Sequence, residues 1–330
     1  MLLAGEIRKQ HVPDNRVGWM IDRNVNITNI CFSQCTFCNF CRKKNDNDSY
    51  VTSIEEYRIK IKELMAFGGD QLLLQGGMNP ALDVSYYVDL FRTLKSEFPE
   101  LRLHALGPPE IVYLAAHDSI SVREVLEKLH EAGLDSLPGA GAEILSDRVR
   151  KIVSPAKATT NEWLGVMREA HRMNLPTSAT MMFGHAETDE ERMRHLILLR
   201  DLQDERPFGN WGFISFIPWP FQDEGTRLAD KFGIRSNIDA GEYIRMIAIS
   251  RIVLNNITNV QSSLLTIGAD TAMVTLHSGA NDLGSIMIEE NVVSAAGAGH
   301  RFDADGIQEV IRKAGFAPRR RDQLYRTVAG

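Results

Sequence analysis

The chain has 330 residues, enough for one large domain or two small ones, and its 44% hydrophobic and 24% charged residues are ordinary for a globular protein. Lys and Arg number 37 against 43 Asp and Glu, a net charge of −6, which leaves no electrostatic footprint for nucleic acid; the one basic run, Arg319-Arg320-Arg321, reads as a solvated face. No apolar run approaches the roughly 20 residues that span a bilayer, and Met1–Arg8 lacks a signal peptide's apolar core, so a cytoplasmic protein with no membrane partner is expected.

Short β-rich runs alternate with longer helical patterns, which predicts parallel βα units. Strands are expected to begin near Asn26, Gln71, Leu101, Leu134, Thr177, Gly212, Val260 and Leu283, with helices over 54–67, 84–98, 122–132, 161–173, 190–204 and 240–255. Ser53 with Glu56 offers a capping box to the first of these helices, and Thr188 caps the fifth. Eight such units predict an α/β fold of the (β/α)8 TIM-type barrel class. An open partial barrel of six βα units with a C-terminal extension, or a doubly wound sheet, is the alternative. With no Pro/Gly/Ser linker, residues 1–330 read as a single barrel domain, carrying a short N-terminal leader over 1–23 and a C-terminal helical tail over 303–330.

The first unusual feature follows the first strand. All four cysteines fall between Cys31 and Cys41, a crowding that points to metal or redox chemistry rather than to a disulfide framework. Cys31-x3-Cys35-x2-Cys38 can hold three irons of a cubane and leave the fourth open to a chelating ligand. Cys41 keeps two other readings open, a four-thiolate zinc site and a ferredoxin-like electron carrier.

The remaining unusual residues also follow strands, where a barrel builds its active site. Gln75-Gly76-Gly77 ends the second strand, either as a turn or as backbone brought close to a ligand. Pro138-Gly139-Ala140-Gly141-Ala142-Glu143 follows the fourth; Glu143 could accept from ribose hydroxyls or favour the positive end of a helix starting near Leu145. His185, after Gly184, is the catalytic candidate among His104, His185 and His277, since neutral imidazole suits proton transfer near pH 7. Trp219, between two prolines, could stack on an aromatic substrate or cap the barrel. Glu289 and Glu290 could bind a polar substrate or lie in solvent.

The cysteine spacing, with Phe37 as the aromatic before the third cysteine, resembles the signature of the radical S-adenosylmethionine superfamily. The resemblance implies that Cys31, Cys35 and Cys38 hold a 4Fe–4S cluster. It also implies that backbone at Phe40 reads the adenine of S-adenosyl-L-methionine and that Gly76-Gly77 meets its methionine amino group. Leu74-Gln75-Gly76-Gly77, Gly107-Pro108-Pro109-Glu110-Ile111, Met181-Met182-Phe183-Gly184-His185, Phe216-Ile217-Pro218-Trp219-Pro220-Phe221, Ser278-Gly279-Ala280-Asn281-Asp282 and Glu289-Glu290-Asn291-Val292-Val293 are similar to the cyclic dehypoxanthinyl futalosine synthase family, from about Asn24 to Tyr325. Aminofutalosine synthase and the deazaflavin-cofactor synthase components share the cysteine loop.

Membership would imply menaquinone biosynthesis by the futalosine pathway. A 5′-deoxyadenosyl radical takes hydrogen from ribose C4′ of dehypoxanthine futalosine, the new radical adds to the benzoate ring, and loss of an electron and a proton restores aromaticity. It further implies a reductant such as flavodoxin or ferredoxin, cofactor contacts from Phe40, Gly76, Gly77 and Glu143, the final proton passing to His185, and substrate contacts from Trp219 and Glu290. Two residues depart from the family pattern: Ala140 stands where a glycine is usual, and Cys41 where an aromatic or small residue is.

Overall fold

The computed structural model describes residues 1–289, 294–297 and 300–328. Among the described residues are ten strands: β1 (Arg16–Met20), β2 (Asp22–Asn26), β3 (Gln71–Gln75), β4 (Arg102–Ala105), β5 (Leu134–Ser136), β6 (Thr177–Phe183), β7 (Phe213–Pro220), β8 (Asn259–Val260), β9 (Asp282–Ser285) and β10 (Ala317–Arg320). Every ladder between them is parallel. β1 and β2 are separated only by Ile21 and act as one strand, so eight strand positions form the ring.

The ring closes through thin joints. β2, β3, β4 and β5 form one sheet, and β6, β7 and β8 a second. Leu137 bridges β5 to Thr177 at the start of β6, with Ser178 N–H donating to Leu137 O at 3.1 Å. Gln261 likewise bridges β8 to Asp282, with Ser262 N–H donating to Asp282 O at 2.9 Å, and β9 pairs with β1. This is the (β/α)8 arrangement expected from the sequence. β8 and β9 carry the ring beyond six units.

The helices pack outside because their apolar faces need covering and the ring offers apolar side chains in return. Leu72, Leu74, Leu103, Ala105, Ala179 and Phe216 from the strands meet Tyr57, Ile61, Phe91, Leu94, Val125 and Leu196 from the helices in one core. The predicted caps form: Ser53 N–H donates to Glu56 at 2.7 Å, and Thr188 N–H to Glu191 at 2.9 Å.

Both ends of the chain differ from expectation. Within residues 1–23, expected as a short leader, a helix over Leu2–His11 packs on the barrel through Ala4 and Arg8, and β1 is already a ring strand. The expected helical tail is helical only over Ala304–Lys313; β10 then pairs with β1, because β3 begins opposite Asp22 and leaves that flank of β1 unpaired. Beyond β10 the chain turns under the barrel, where Arg321 is held by Asp282 at 2.7 Å and Gln323 accepts from Gln71 at 3.1 Å. This segment is the floor of the cavity described next. No described helix is long and apolar enough to cross a membrane.

Candidate active site

Inside the ring lies a cavity of about 780 Å³, within the range of small-molecule sites. Strand alternation decides which side chains reach it. Asp22, Asn24 and Asn26 of β2 line it, whereas Arg23 between them points outward to Lys60 O and Glu63.

The cysteine loop sits over the C-terminal end of the ring. Cys31 N–H donates to Arg42 O at 3.0 Å and Arg42 N–H to Asn29 O at 2.8 Å, closing the loop on itself. Thr36 N–H donates to Val153 O, and Leu228 N–H to Thr36 O, both at 2.8 Å, so two neighbouring helices pin its middle. Cys31, Cys35, Cys38, Phe37, Phe40 and Cys41 all line the cavity.

The four thiols are not alike. The neighbouring Cys41 thiol, and the Met78 amide 3.4 Å away, hold the Cys31 thiol below its usual range despite its burial. Burial pushes Cys35 and Cys38 up. Cys41 is also held up, first by its bond to Cys31, and its sulfur lies 3.2 Å from Cys31 O. Among the described residues no three His, Cys, Asp or Glu side chains converge on a single point. A cubane spreads its ligands over separate corners, and the donor set Cys31, Cys35 and Cys38 fits it.

Lys157 is the counter-charge that sequence reading missed. Its ammonium is 3.2 Å from Glu143 and 5.4 Å from the centre of the Phe37 ring. Burial by itself would drive it down, but Cys35, Glu143, Cys38 and Cys31 together hold it up and charged. It ends a Ser154-Pro155-Ala156 turn and belongs to no motif.

Neither Gly76 nor Gly77 adopts positive φ. Instead β3 runs under the cysteine loop at backbone contact: a Cβ on Gly77 would lie 2.1 Å from Ile30 O. Gly77 N–H donates to Thr28 O at 2.8 Å. Gly76 N–H is 3.3 Å from Glu110, whose other oxygen accepts from Gly107 N–H at 2.7 Å. Glu110 is thus a second missed residue, pushed up to about 7 by desolvation, and it ties the glycine pair to the next loop.

Glu143 sits in the left-handed region at φ 45° and faces the cavity while its carbonyl accepts from Met182 N–H. Buried Arg150 fixes its loop through Gly141 O and Ala142 O at 3.0 and 2.7 Å. Ala140 is easily accommodated, since the left-handed turn falls on Gly141 at φ 71°. Trp219 is half-buried and reaches the cavity from β7.

Two expected residues fall elsewhere. Glu290 lies outside the described residues. His185 does not face the cavity: Gly184, at φ 93°, turns the chain away, and the wholly buried ring accepts from Ala186 N–H through Nδ1 at 2.7 Å. Its Nε2 bonds Met182 O at 3.0 Å, and Glu187, held by Arg192, closes over it. Burial depresses the ring's basicity. His185→Ala is therefore expected to cost roughly 1–3 kcal/mol of stability. Per folded molecule it should leave cofactor cleavage and product yield within about twofold, checked by thermal melts and product assays.

A barrel with three thiols over its mouth has known relatives. The Radical SAM superfamily model matches residues 25–199, more than half of the chain. The chain belongs to the radical S-adenosylmethionine superfamily. Its residues 210–329 match the CofH/MqnC C-terminal region. It is 41% identical over 98% of its length to a cyclic dehypoxanthine futalosine synthase of Halalkalibacterium halodurans, covering 86% of that protein. A Methanothermobacter thermautotrophicus 5-amino-6-(D-ribitylamino)uracil–L-tyrosine 4-hydroxyphenyl transferase is 38% identical, over 99% of this chain and 89% of its own. Among solved structures, methylornithine synthase shares the fold at TM-score 0.71 and 20% identity, over 96% of this chain and 87% of that one. The chain is accordingly an enzyme whose cofactors are a 4Fe–4S cluster and S-adenosylmethionine.

Proposed function

We propose that the enzyme cyclises dehypoxanthine futalosine, joining ribose C4′ to the benzoate ring with net loss of two hydrogens. The observation that carries this reading is the 41% identity, over 98% of the chain, to the H. halodurans synthase. Cys31, Cys35 and Cys38 would hold the cluster, with Cys41 lining the site beside them. When bound, the cluster and S-adenosylmethionine supply a hydrogen-abstracting radical.

What the chain itself contributes is position and seclusion. Lys157 balances the negative charge gathered by the thiolates and Glu143. Glu143 faces ribose hydroxyls, and the Gly76-Gly77 backbone stands next to the cysteine loop, within reach of the cofactor's amino group. Trp219 offers a face to the substrate's aromatic ring. The ring of strands, closed on all sides, keeps water and stray hydrogen donors from the radical.

The transferases at 38% identity favour a second reading, in which tyrosine and 5-amino-6-(D-ribitylamino)uracil are the substrates. One anaerobic experiment separates the two. Reduced, cluster-loaded enzyme receives S-adenosylmethionine with either dehypoxanthine futalosine or the tyrosine–uracil pair, and products are read by mass spectrometry. A cyclised product two hydrogens lighter, with 5′-deoxyadenosine, is expected from the first mixture alone. Coupling in the second mixture and none in the first would transfer the assignment to the transferase.

A further inference from the structure

The floor of the cavity holds polar atoms that the fold does not use. Asn24, 3% exposed and in the middle of β2, makes no side-chain hydrogen bond among the described residues, and its Oδ1 is buried. Two residues earlier, Asp22 Oδ1 is equally buried and unpaired. Opposite Asp22 on β3, Gln71 donates through Nε2 to Gln323 at 3.1 Å, and at 3.5 Å to Asp22 Oδ2, while its Oε1 has no partner. All three side chains line the cavity. β2 and β3 lie about 4.8 Å apart and Asp22 and Asn24 about 6.6 Å, so the three form one cluster. A buried polar group left unpaired costs roughly 1–3 kcal/mol, which a fold does not retain three times over in one place without a use.

The surroundings say what would satisfy them. Three acceptor oxygens and one carboxamide NH2 are on offer from these side chains, none of which is a cation. Arg321 is occupied by Asp282, and His104, bonded to Ser136 at 2.7 Å, is held neutral by burial. A carboxylate or phosphate would meet three acceptor oxygens, one of them on a carboxyl, and a single NH2 donor. An ammonium would meet the Arg321 guanidinium, which is close enough to act on Asp22. A hydroxyl both donates and accepts, and adjacent hydroxyls repeat every few ångströms.

We infer that Asp22, Asn24 and Gln71 form a subsite for the vicinal hydroxyls of a sugar or alditol, setting the substrate with its hydroxyls down against the C-terminal floor and its aromatic part up toward Trp219. The choice of test ligand rests on the cyclase reading; the subsite itself does not, since the transferase reading also supplies an alditol.

The test uses the cluster-loaded enzyme with S-adenosylmethionine bound, and calorimetric titration with dehypoxanthine futalosine. Asn24→Leu and Gln71→Met should each raise Kd roughly 10- to 100-fold while leaving the Kd for S-adenosylmethionine unchanged. Asn24→Leu should also keep or raise the melting temperature, because it removes an unpaired polar group; a structural role for Asn24 would lower it. Unchanged substrate affinity in both variants, or equal loss of affinity for S-adenosylmethionine, overturns the subsite. If the wild type ignores dehypoxanthine futalosine but binds 5-amino-6-(D-ribitylamino)uracil, and both variants weaken that binding, the cyclase reading falls and the subsite stands. Binding of neither ligand by wild type overturns the subsite as well.

Discussion

Serine at Cys31, Cys35 or Cys38 is expected to strip the enzyme of its cluster and abolish 5′-deoxyadenosine formation, whereas serine at Cys41 is expected to leave both in place. The four thiols share a loop of eleven residues, so proximity alone does not separate them; their surroundings do. Cys31 Sγ accepts from the Met78 amide at 3.4 Å, and the Cys41 thiol beside it donates to Cys31 O at 3.2 Å. Cys41 therefore serves Cys31 as a hydrogen-bond donor, and a serine hydroxyl can donate as well. Cys35 and Cys38 are buried beside Lys157, whose charge opposes the cost of ionising them there. Loss of a group outside the ligand set typically costs 10- to 100-fold in metal affinity, so loss of a ligand should exceed about 100-fold. Iron and sulfide content after anaerobic reconstitution reads the first effect, and 5′-deoxyadenosine yield the second. An iron-free Cys41→Ser protein would place a fourth thiolate on the metal.

The strands were legible because the βα units alternate a short run, such as Gln71–Gln75, with a longer amphipathic one. The helices that sequence reading passed over lack that contrast. Leu264–His277 is apolar on most of its surface, and Pro108–Asp118 opens on two prolines that read as a loop, though proline suits a helix's first turn. The cysteine loop was legible because its spacing carries the chemistry. Lys157 and Glu110 were not: each acts through a partner distant in sequence, Glu143 and Gly76, and such pairings exist only once the barrel has closed. His185 shows the opposite failure. Its place after a strand put it at the correct end of the barrel, but the turn at Gly184 and the Glu187–Arg192 pair bury its ring away from the cavity. Asn24 was readable in principle, since polar residues alternate at 22, 24 and 26; with the strand placed near Asn26, that alternation was not seen as one face of a barrel.

Alanine at Gly77 should disable the enzyme, and alanine at Gly165 should stabilise it, although the same methyl group is added at both. Gly77 does not need glycine for its dihedral angles, so the effect is one of space. The new Cβ would sit 2.1 Å from Ile30 O, 2.6 Å from Ile30 C and 2.8 Å from the Cβ of Cys31. Two of those atoms are backbone and cannot rotate aside. Either β3 withdraws, breaking the Gly77 N–H bond to Thr28 O, or the chain at Ile30-Cys31 lifts and carries a cluster ligand with it. Overpacking of this kind costs about 3 kcal/mol or more, and here it is concentrated on the cysteine loop. Gly165 lies inside the helix Thr160–Arg172, and a Cβ there meets nothing within 4 Å. Alanine gains roughly 0.5–1 kcal/mol at such a position by restricting the unfolded chain. Gly77→Ala should therefore lose iron and 5′-deoxyadenosine formation together while its circular dichroism stays that of a folded barrel. Gly165→Ala should keep both activities and melt a few degrees higher. A fully loaded, active Gly77→Ala enzyme would mean that the loop and β3 can separate without moving Cys31, and that the glycine is not what seats the cluster ligand.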